Sequence, residues 1–550
     1  MYSKDKGMRD LTRLQSELFD VCVVGAGVYG ATVAYHLAAA GLTIAVIDMG
    51  DFCSATSANS LKILHGGLRY LQHGNFVRMR ETIRARREFM RFAPHLVAPL
   101  ACTIPTFGYG LRSPLAMQFA SILNNGISAD RNSGLLPSVR LASGHIISKK
   151  ALLQHFPALD AAQISGGLIW YDALACNSER LVLEYLFAAR DMGAELGNYL
   201  RAERILSKEG RITGIRLADV IGEASFDLSA RWVVNAAGPW FDELLIKSGI
   251  PCPPAAWAKA VNIVVDKSLE SPLAVGIESK ESYRDEDAVL KRNKRFYFFV
   301  PWRNGTLIGT TYHGWAGSKD QVQATRDDVA EIVDEVNAIY PNWGLKLSNV
   351  SFWHAGLLPM ADEHTASSDS VQLAKHSRII EHAKEGGPQG LLSLRSIKYT
   401  TAPVEAKKIT RIILKHHNGS SQVQQRQTPP ANEIPQALIG HLQTRYGSRA
   451  GQVARYISGH DEQSWWLSQE PALLRGEIAY FIHEEMALTL GDVVFRRTGL
   501  GSYQCPSRRL LADIATCMAD ELKWDEKRQQ KEIELVSQKY AVLAQGTTAP

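Results

Sequence analysis

Three glycines near the amino end are spaced for binding a phosphate-containing cofactor. Gly25, Gly27 and Gly30 form a Gly-x-Gly-x-x-Gly pattern directly after the apolar run Phe19–Val24. In such a pattern the first glycine makes a tight turn, the second admits a pyrophosphate to the backbone, and the third lets helix and strand pack closely. Asp48 ends the next apolar run, where an acidic side chain can accept ribose hydroxyl groups. The spacing predicts a dinucleotide site that suits NAD and FAD alike.

Two further segments favour FAD. Residues 233–240 form an apolar run that ends in Asn-Ala-Ala-Gly, resembling the second dinucleotide-contact strand of flavoproteins, with Ala236 and Gly238 as expected contacts. Residues 57–70 contain a Lys and a His-Gly-Gly sequence that a single-domain NAD dehydrogenase would not need. FAD is therefore the predicted cofactor.

The same region resembles one enzyme family. Gly50–Ser57 followed by Lys62–Leu71 is similar to the signature of FAD-dependent glycerol-3-phosphate dehydrogenases, which share the D-amino-acid oxidase-like fold. Similar segments recur at 93–97, 301–311 and 477–501, so the resemblance spans about residues 18 to 530. It implies an α/β chain with a Rossmann-type FAD-binding domain, an antiparallel-sheet substrate domain and a C-terminal all-α cap domain. It also implies reoxidation of the flavin by a quinone or by oxygen.

The resemblance extends to individual cofactor contacts. Beyond the three glycines, Asp48, Ala236 and Gly238, it implies FAD contacts at Tyr29, Thr56, Ser57, Lys62, His65, Gly66, Gly67, Lys398 and Thr400. No metal is expected, because the 7 cysteines include no Cys-x-x-Cys pair.

The chain departs from the family where the substrate phosphate would bind. The family has Gly-Val-Arg-Pro, whose arginine binds that phosphate, whereas this chain has Gly356-Leu-Leu-Pro359. Leu358 cannot supply the bidentate cationic fork that phosphate prefers. Either other cations such as Arg395 or Lys375 hold the phosphate, or the substrate carries none. We favour a changed substrate.

Other substrate-side positions are partly retained. Asn262 replaces a family histidine and Tyr312 replaces an aspartate, while Arg69, Tyr70 and Lys398 match the family. The predicted substrate contacts are Arg69, Tyr70, Asn262, Tyr312, Leu358 and Arg395.

A proton acceptor for the oxidised group must also be found. Asn262 cannot act as a general base, so His313 and His354 are the candidates, because neutral imidazole suits proton transfer near pH 7. Arg69 and Lys398 are expected to bind the anionic part of the substrate or to stabilise the reduced flavin.

Three functions stay open at this point. The first is a dehydrogenase that moves a hydride from a CH–OH group of a small polar molecule to flavin N5. The second is an amine or amino-acid oxidase, since the wider fold family includes such enzymes. The third is a flavin-binding protein without turnover.

The pattern of elements predicts how these residues are positioned. Strand, turn, helix and strand follow one another through residues 19–48, which indicates a parallel sheet. Residues 257–312 are strand-rich, residues 108–145 read as an excursion or lid, and everything beyond 434 is helical in pattern. We expect an FAD-binding and substrate domain at 1–416, with the substrate sheet at about 75–160 and 245–355. A linker at 417–433 and a helical domain at 434–550 follow.

The composition of the chain indicates which kinds of binding partner and which cellular location to expect. The net charge of +5 over 550 residues is too dilute to indicate nucleic-acid binding. The first 18 residues lack the apolar region of a signal peptide, and scattered cysteines fit a reducing, cytoplasmic location. Peripheral contact with a membrane and homodimer formation stay open.

Overall fold

The computed structural model describes residues 9, 11–108, 110–252, 255–282, 294–361, 371–416, 432–457 and 462–544. Most of the predicted linker at 417–433 lies outside this described part. The backbone of Arg69 is described, within the short 3-10 helix Leu68–His73, but its side chain is not.

The first sheet carries the nucleotide-binding turn. Its first strand, Leu18–Val24, pairs in parallel with Ile44–Ile47 on one side and with Ser225–Asn235 on the other. All but one residue of this strand are buried, as expected for a parallel strand covered on both faces. The strands of this sheet are Leu18–Val24, Ile44–Ile47, Glu195–Gly197, Leu200–Lys208, Arg211–Asp219, Ser225–Asn235, Arg378–Glu381 and Leu391–Arg395.

Helices cover the first sheet. The helix that follows the glycine turn, Val28–Ala39, packs between Ser178–Asp191 and Ala402–His416. Ala31 and Ala34 of this helix are fully buried, and their small side chains allow the neighbouring helices to approach closely. The helices of the first 416 residues are Thr12–Ser16, Val28–Ala39, Phe76–Phe92, Pro114–Ile127, Lys149–His155, Ser178–Asp191, Phe241–Lys247, Arg326–Ile339 and Ala402–His416.

The second sheet faces the first across a large cavity. It is antiparallel except where Val97–Phe107 pairs in parallel with Ala274–Ser282. It extends beyond the expected limits, because Ile63–Leu64 and Ile164–Ala175 also belong to it. Its strands are Ile63–Leu64, Val97–Phe107, His145–Ser148, Ile164–Ala175, Trp257–Val265, Ala274–Ser282, Lys294–Trp302, Gly305–Trp315 and Val350–Pro359.

The excursion predicted at 108–145 contains a helix. Ser113 caps Pro114–Ile127 by accepting a hydrogen bond from the Ala116 amide, and Pro114 occupies the first helical position. The helix packs against Ile164–Ala175 at the edge of the second sheet.

The C-terminal region is mostly helical, with one departure from the prediction. A short hairpin, Trp466–Gln469 paired with Ala472–Leu474, interrupts the helices. The helical elements are Ile439–Tyr446, Ala450–Ala454, Glu462–Trp465, Arg475–His483, the π-helical turn Asp492–Arg497, Arg508–Leu522, Glu526–Gln538 and Ala541–Ala544. Their apolar side chains share one core with the second sheet, including Tyr480 and Leu307. Among all described helices, none combines the length and the apolar character needed to cross a bilayer.

Buried ion pairs join the C-terminal region to the nucleotide-binding side. Arg497 donates to both carboxylate oxygens of Asp51, at 2.7 and 2.9 Å. Glu485 lies within 2.6 Å of Arg180, and all four side chains are fully buried. Burial alone would raise the pKa of Asp51, but the charges of Arg497 and Arg496 hold it below its ordinary value. Removing one partner would leave a buried charge uncompensated.

Candidate flavin and substrate site

One large cavity of about 1300 Å³ lies between the two sheets. Its wall runs from Gly25 and Gly27 at the first sheet to Leu358 and Tyr312 at the second. A cavity of this size exceeds a typical drug-sized pocket and leaves room for an extended dinucleotide with a small second molecule.

The glycine turn has no room for a side chain at Gly25 or Gly30. Gly25 has a φ of +95°, and a Cβ atom on it would lie 2.6 Å from the carbonyl oxygen of Ala236. A Cβ atom on Gly30 would lie 1.7 Å from the Gly25 carbonyl oxygen, so this glycine permits the close packing of helix and strand. Gly27 precedes the first residue of helix Val28–Ala39, whose amino end faces the cavity. This cradle fits a dinucleotide pyrophosphate.

Asp48 lies on the cavity wall beside the same turn. Its carboxylate accepts hydrogen bonds from the amides of Ala26, at 2.7 Å, and Gly50, at 3.0 Å. Burial raises the pKa of Asp48 to about 6, and the two amides only partly offset that effect. A carboxylate with two amide donors still has acceptor sites for ribose hydroxyls.

Thr56 and Ser57 connect the turn to its surroundings. The Ser57 hydroxyl accepts from the Val28 amide at 3.0 Å, which satisfies one free amide at the helix start. The Thr56 hydroxyl contacts both the amide and the carbonyl of Leu357 at 3.3 Å. This bond ties the predicted FAD loop to the strand that carries the predicted substrate residues.

Lys62 is held inside the protein. Its ammonium group is fully buried and donates to Glu179 at 3.1 Å, to Ser178 at 2.8 Å and to the carbonyl of Ala58 at 2.9 Å. Its three donors are therefore already used, so the role that the geometry supports is to fix the loop that borders the cavity.

His65, Gly66 and Gly67 form a second turn on the wall. The Gly66 amide donates to Asp172 at 2.5 Å, and the His65 ring lies 3.5 Å from the same carboxylate. Burial opposes ionisation of Asp172, yet the hydrogen bond from His65 and the charge of Arg86 lower its pKa to about 2. Gly67 has a φ of +83°, which favours glycine.

Lys398 and Tyr70 meet on the substrate side. The Lys398 ammonium donates to the Tyr70 hydroxyl at 2.6 Å. The Lys398 backbone carbonyl accepts from Tyr29 at 2.6 Å, which joins this loop to the helix of the glycine turn. Thr400, two residues on, accepts from the His65 amide at 3.2 Å.

The side chain of Asn262, on the second sheet, forms hydrogen bonds with other residues of the protein. Its side-chain oxygen accepts from the Thr310 hydroxyl at 2.6 Å, and its amide nitrogen lies 3.5 Å from the Asn59 carbonyl. Leu358 and Tyr312 also line the cavity, so no cation stands at either of these predicted substrate positions.

The two histidine candidates lie in different places. His354 is 1% exposed, lines the cavity, and its Nε2 atom has no hydrogen-bond partner among the described residues. Burial lowers its pKa well below 6.5, and the charges of Lys62 and Arg303 add to this effect. A neutral imidazole with an open nitrogen can accept a proton.

His313 points away from the cavity. Its ring lies 3.0 Å from Glu331 in helix Arg326–Ile339, and the hydrogen bond to Glu331 raises the pKa of His313. Successive residues of a strand face opposite sides, so Tyr312 faces the cavity and His313 does not. The prediction of His313 as a base is not supported by its position.

Arg395 also differs from expectation. Its guanidinium donates to the Met360 carbonyl at 2.5 Å, and it is not part of the described cavity wall. Lys375, the other cation suggested for phosphate, does line the cavity. The cavity-lining cations that were not predicted are Arg78, Arg201, Lys247, Arg295, Lys319, Arg496 and Lys539. Arg78 stacks on the Tyr70 ring at 5.1 Å, a contact between a helix and a turn that no local motif marks.

Two family models match the chain. The model described as FAD dependent oxidoreductase matches residues 20–388, and the C-terminal domain of alpha-glycerophosphate oxidase matches residues 409–529. The first covers both sheets and the glycine turn.

Named proteins are similar over nearly the whole chain. The glycerol-3-phosphate dehydrogenase of Synechocystis sp. is 28% identical over 557 residues, covering 96% of this chain and 97% of that protein. The human mitochondrial glycerol-3-phosphate dehydrogenase is 26% identical, covering 95% of this chain and 73% of that protein.

A solved structure shares the fold. The glycerol-3-phosphate dehydrogenase from Bacillus halodurans, complexed with FAD, superposes with a TM-score of 0.71 at 21% identity and covers 97% of this chain and 96% of that one. The predicted fold class and the predicted cofactor are confirmed by these matches. The chain belongs to the family of FAD-dependent oxidoreductases.

Proposed function

We propose that the chain oxidises the CH–OH group of a small polar alcohol, with FAD as its bound oxidant and a quinone or oxygen as the final acceptor. The observation that carries the proposal is His354, a buried imidazole of a cavity-lining residue, whose Nε2 atom has no hydrogen-bond partner among the described residues. The relatives named as glycerol-3-phosphate dehydrogenases support an alcohol rather than an amine as substrate.

Bound FAD would supply the two-electron chemistry by taking a hydride from the substrate carbon. The glycine cradle and Asp48 would hold its diphosphate and ribose ends, on the geometry described above. Thr56 would keep the strand Val350–Pro359, and with it His354, at a fixed position beside the cofactor loop.

His354 would accept the proton of the substrate hydroxyl at Nε2. Neighbouring Trp302 and Phe352 form edge-to-face contacts with the imidazole, with ring centres 6.1 and 5.2 Å away. These rings restrict the orientation of the imidazole. Phe352 and His354 both border the cavity.

Lys398 would bind the polar end of the substrate. Its ammonium has two donors beyond the one given to Tyr70, and it lies on the cavity wall. Because Leu358 supplies no charge, we propose that the substrate has diverged from glycerol 3-phosphate and presents less negative charge at that end.

Anaerobic flavin reduction tests the function. The purified yellow protein is mixed with glycerol 3-phosphate, glycerol, other small polyols and their phosphates, and with a matched panel of amines and amino acids. Bleaching of the flavin absorbance by an alcohol supports the proposal. Bleaching by an amine alone would replace it with an amine oxidase, and a flavin that no compound bleaches would indicate a binding protein.

The proposal also concerns the electron acceptor that reoxidises the flavin and the location of the protein in the cell. Dichlorophenolindophenol or a soluble quinone and air-saturated buffer are compared as acceptors for the reduced protein. We propose a cytoplasmic protein with peripheral membrane contact.

A further inference from the structure

The C-terminal region contacts the nucleotide-binding side through two consecutive arginines. Arg496 and Arg497 end the π-helical turn Asp492–Arg497, and both donate to the carboxylate of Asp51. The matched C-terminal domain of alpha-glycerophosphate oxidase includes both arginines, whereas the matched FAD dependent oxidoreductase domain includes Asp51. The contact therefore joins the two parts of the chain. π-helical turns occur frequently at functional sites.

The two arginines differ in what else they contact. Arg497 is fully buried, donates to the carbonyl of Glu485 at 2.6 Å, and does not line the cavity. Arg496 does line the cavity. It donates through Nε to Asp51 and through Nη2 to Asp492, both at 2.5 Å. Its Nη1 atom forms no hydrogen bond with the described residues, so two N–H donors of this cation are available to a ligand.

The loop that Arg496 contacts also carries Asp48. Asp51 follows Asp48 by three residues, and the amide of Gly50, between them, donates to the Asp48 carboxylate at 3.0 Å. Asp48, Gly50 and Arg496 all line the cavity. An acceptor for ribose hydroxyls and a cation with open donors therefore lie at the same end of the cavity.

The charges at this end act on one another. Burial is the main cause of the raised pKa of Asp48, and of the charged side chains near it, Asp51 raises that pKa further while Arg496 lowers it. Lys539 is a second cavity-lining cation from the C-terminal region, and its pKa is lowered by burial and by the charge of Arg496. The wall that the C-terminal region contributes is therefore cationic, which suits an anionic ligand.

We propose that Arg496 is a cofactor-binding residue, whose Nη1 donors bind the adenosine diphosphate half of FAD beside the acceptor Asp48. A guanidinium binds phosphate and hydroxyl oxygens through paired N–H donors, whereas a carboxylate only accepts. The ribose hydroxyls can donate and the diphosphate oxygens only accept, so the two side chains complement each other. The C-terminal region is then part of the cofactor site. The inference rests on FAD as the cofactor and does not depend on the identity of the substrate.

Cofactor titration tests the proposal. Flavin is removed from the full-length protein, and FAD binding is followed by fluorescence at a series of pH values, with ADP-ribose, which lacks the flavin, as a competitor. Arg496→Met removes the donors and the charge, whereas Arg496→Lys keeps the charge on a single nitrogen. Arg528→Met is the matched control, because Arg528 also pairs with a carboxylate four residues away, Glu532, but does not line the cavity.

We expect Arg496→Met to raise the Kd values of FAD and ADP-ribose by the same factor, at least about tenfold, because charged donors are lost. The increase of FAD affinity with pH should move to higher pH, since the charge that lowers the pKa of Asp48 is gone. Arg496→Lys should raise both Kd values by about threefold or more without moving the pH dependence. Arg528→Met should match the wild type in both Kd values.

Three results would overturn the inference. One is wild-type affinity for FAD in Arg496→Met. Another is weaker binding of FAD without equally weaker binding of ADP-ribose, which would place the contact at the flavin end. The third is an equal loss in Arg528→Met, which would show that breaking an ion pair of this region is sufficient. Thermal midpoints of the apoproteins show which variants fold. If Arg496→Met does not fold, a folded Arg496→Lys with wild-type affinity would likewise remove Arg496 from the cofactor site.

Discussion

The ammonium group of Lys398 lies 4.6 Å from the centre of the Tyr70 ring and donates to its hydroxyl at 2.6 Å. The two residues are 328 positions apart in the chain, and they come from different turns on the cavity wall. Tyr70 therefore fixes the position of Lys398, the cation that we propose binds the polar end of the substrate. At position 358, where the family has a phosphate-binding arginine, this chain has a leucine. Arg78 stacks on the same ring, so the tyrosine stands between two positive charges.

Replacing Lys398 by Met should weaken substrate binding without removing the flavin. We expect kcat/KM to fall by about tenfold or more, because a hydrogen bond from a charged group to a polar substrate is worth about 1.5–3 kcal/mol. Tyr70→Phe should produce a smaller loss, since the cation stays. Steady-state kinetics on the best alcohol substrate measure both effects. Lys407→Met, a change in an exposed ion pair with Glu88, is the control and should match wild type.

Replacing Leu358 by Arg should shift preference toward a phosphorylated substrate. Arginine supplies the bidentate donors that phosphate binds best, and Leu358 already lines the cavity. We expect the ratio of kcat/KM for glycerol 3-phosphate to that for glycerol to rise by about tenfold or more. Leu358→Met is the control of similar size without charge. An unchanged ratio in the arginine variant would show that position 358 does not contact the phosphate end.

FAD affinity should depend on pH through Asp48. Burial raises the pKa of this carboxyl to about 6, and only its ionised form accepts hydrogen bonds with both oxygens. Ribose hydroxyl donors favour the ionised form, so binding releases a proton below pH 6. We expect the Kd of FAD for the apoprotein to fall as pH rises from 5 to 6.5 and then to level off. Fluorescence titration measures it, and Asp48→Asn should bind more weakly with no such slope.

The raised pKa of Asp48 also determines whether the stability of the apoprotein rises or falls with pH. The folded state binds the proton more tightly than the unfolded chain, so this group lowers stability as pH rises from about 4 to 6. Added FAD should remove that decline, because it stabilises the ionised carboxylate. As pH rises through the titration of Asp48, the affinity for FAD should therefore increase while the stability of the apoprotein decreases.

Breaking the Lys62 ion pair should destabilise the fold. Its ammonium and the Glu179 carboxylate are 0% and 3% exposed, so Lys62→Met leaves a buried negative charge without its partner. A loss of about 3–5 kcal/mol in the free energy of unfolding is expected from such a change. Chemical denaturation measures it. The double variant Lys62→Met/Glu179→Gln should recover part of the loss, and a double variant no more stable than the single one would contradict this account.

The sequence indicated the cofactor end of the site better than the substrate end. Gly25 and Gly30 could be predicted because a Cβ atom on either would collide with backbone atoms, and their spacing in the sequence marks the turn. Lys62 could not be assigned to Glu179, because 117 residues separate the partners and no local pattern joins them. The same holds for Arg78 and Tyr70, which meet only through the fold.

Strand register explains why the histidines could not be separated from sequence. His313 and Tyr312 are neighbours, and which of them faces the cavity depends on how the strand pairs. The pairing of Trp257–Val265 with Gly305–Trp315 shifts between Val261 and Asn262, a bulge that no composition signal marks. His354 stands directly opposite Asn262 on the next strand, so position 262 and its neighbour lie together at the cavity. The alternation of side chains along a strand could therefore not show which histidine faces the cavity without knowledge of how the strands pair.

His354→Asn should slow flavin reduction far more than His313→Asn. Loss of a positioned general base costs about 100- to 10,000-fold, whereas His313 contacts Glu331 on the outer side of the sheet. Burial holds the pKa of His354 well below 6.5, so the wild-type reduction rate should not fall between pH 7.5 and 6. If His313 were the base, its raised pKa would make the rate fall over that range. Stopped-flow reduction without oxygen measures both variants and both pH values. Equal rates for the two variants would remove His354 from the reaction, because no other difference between the two positions predicts a selective loss.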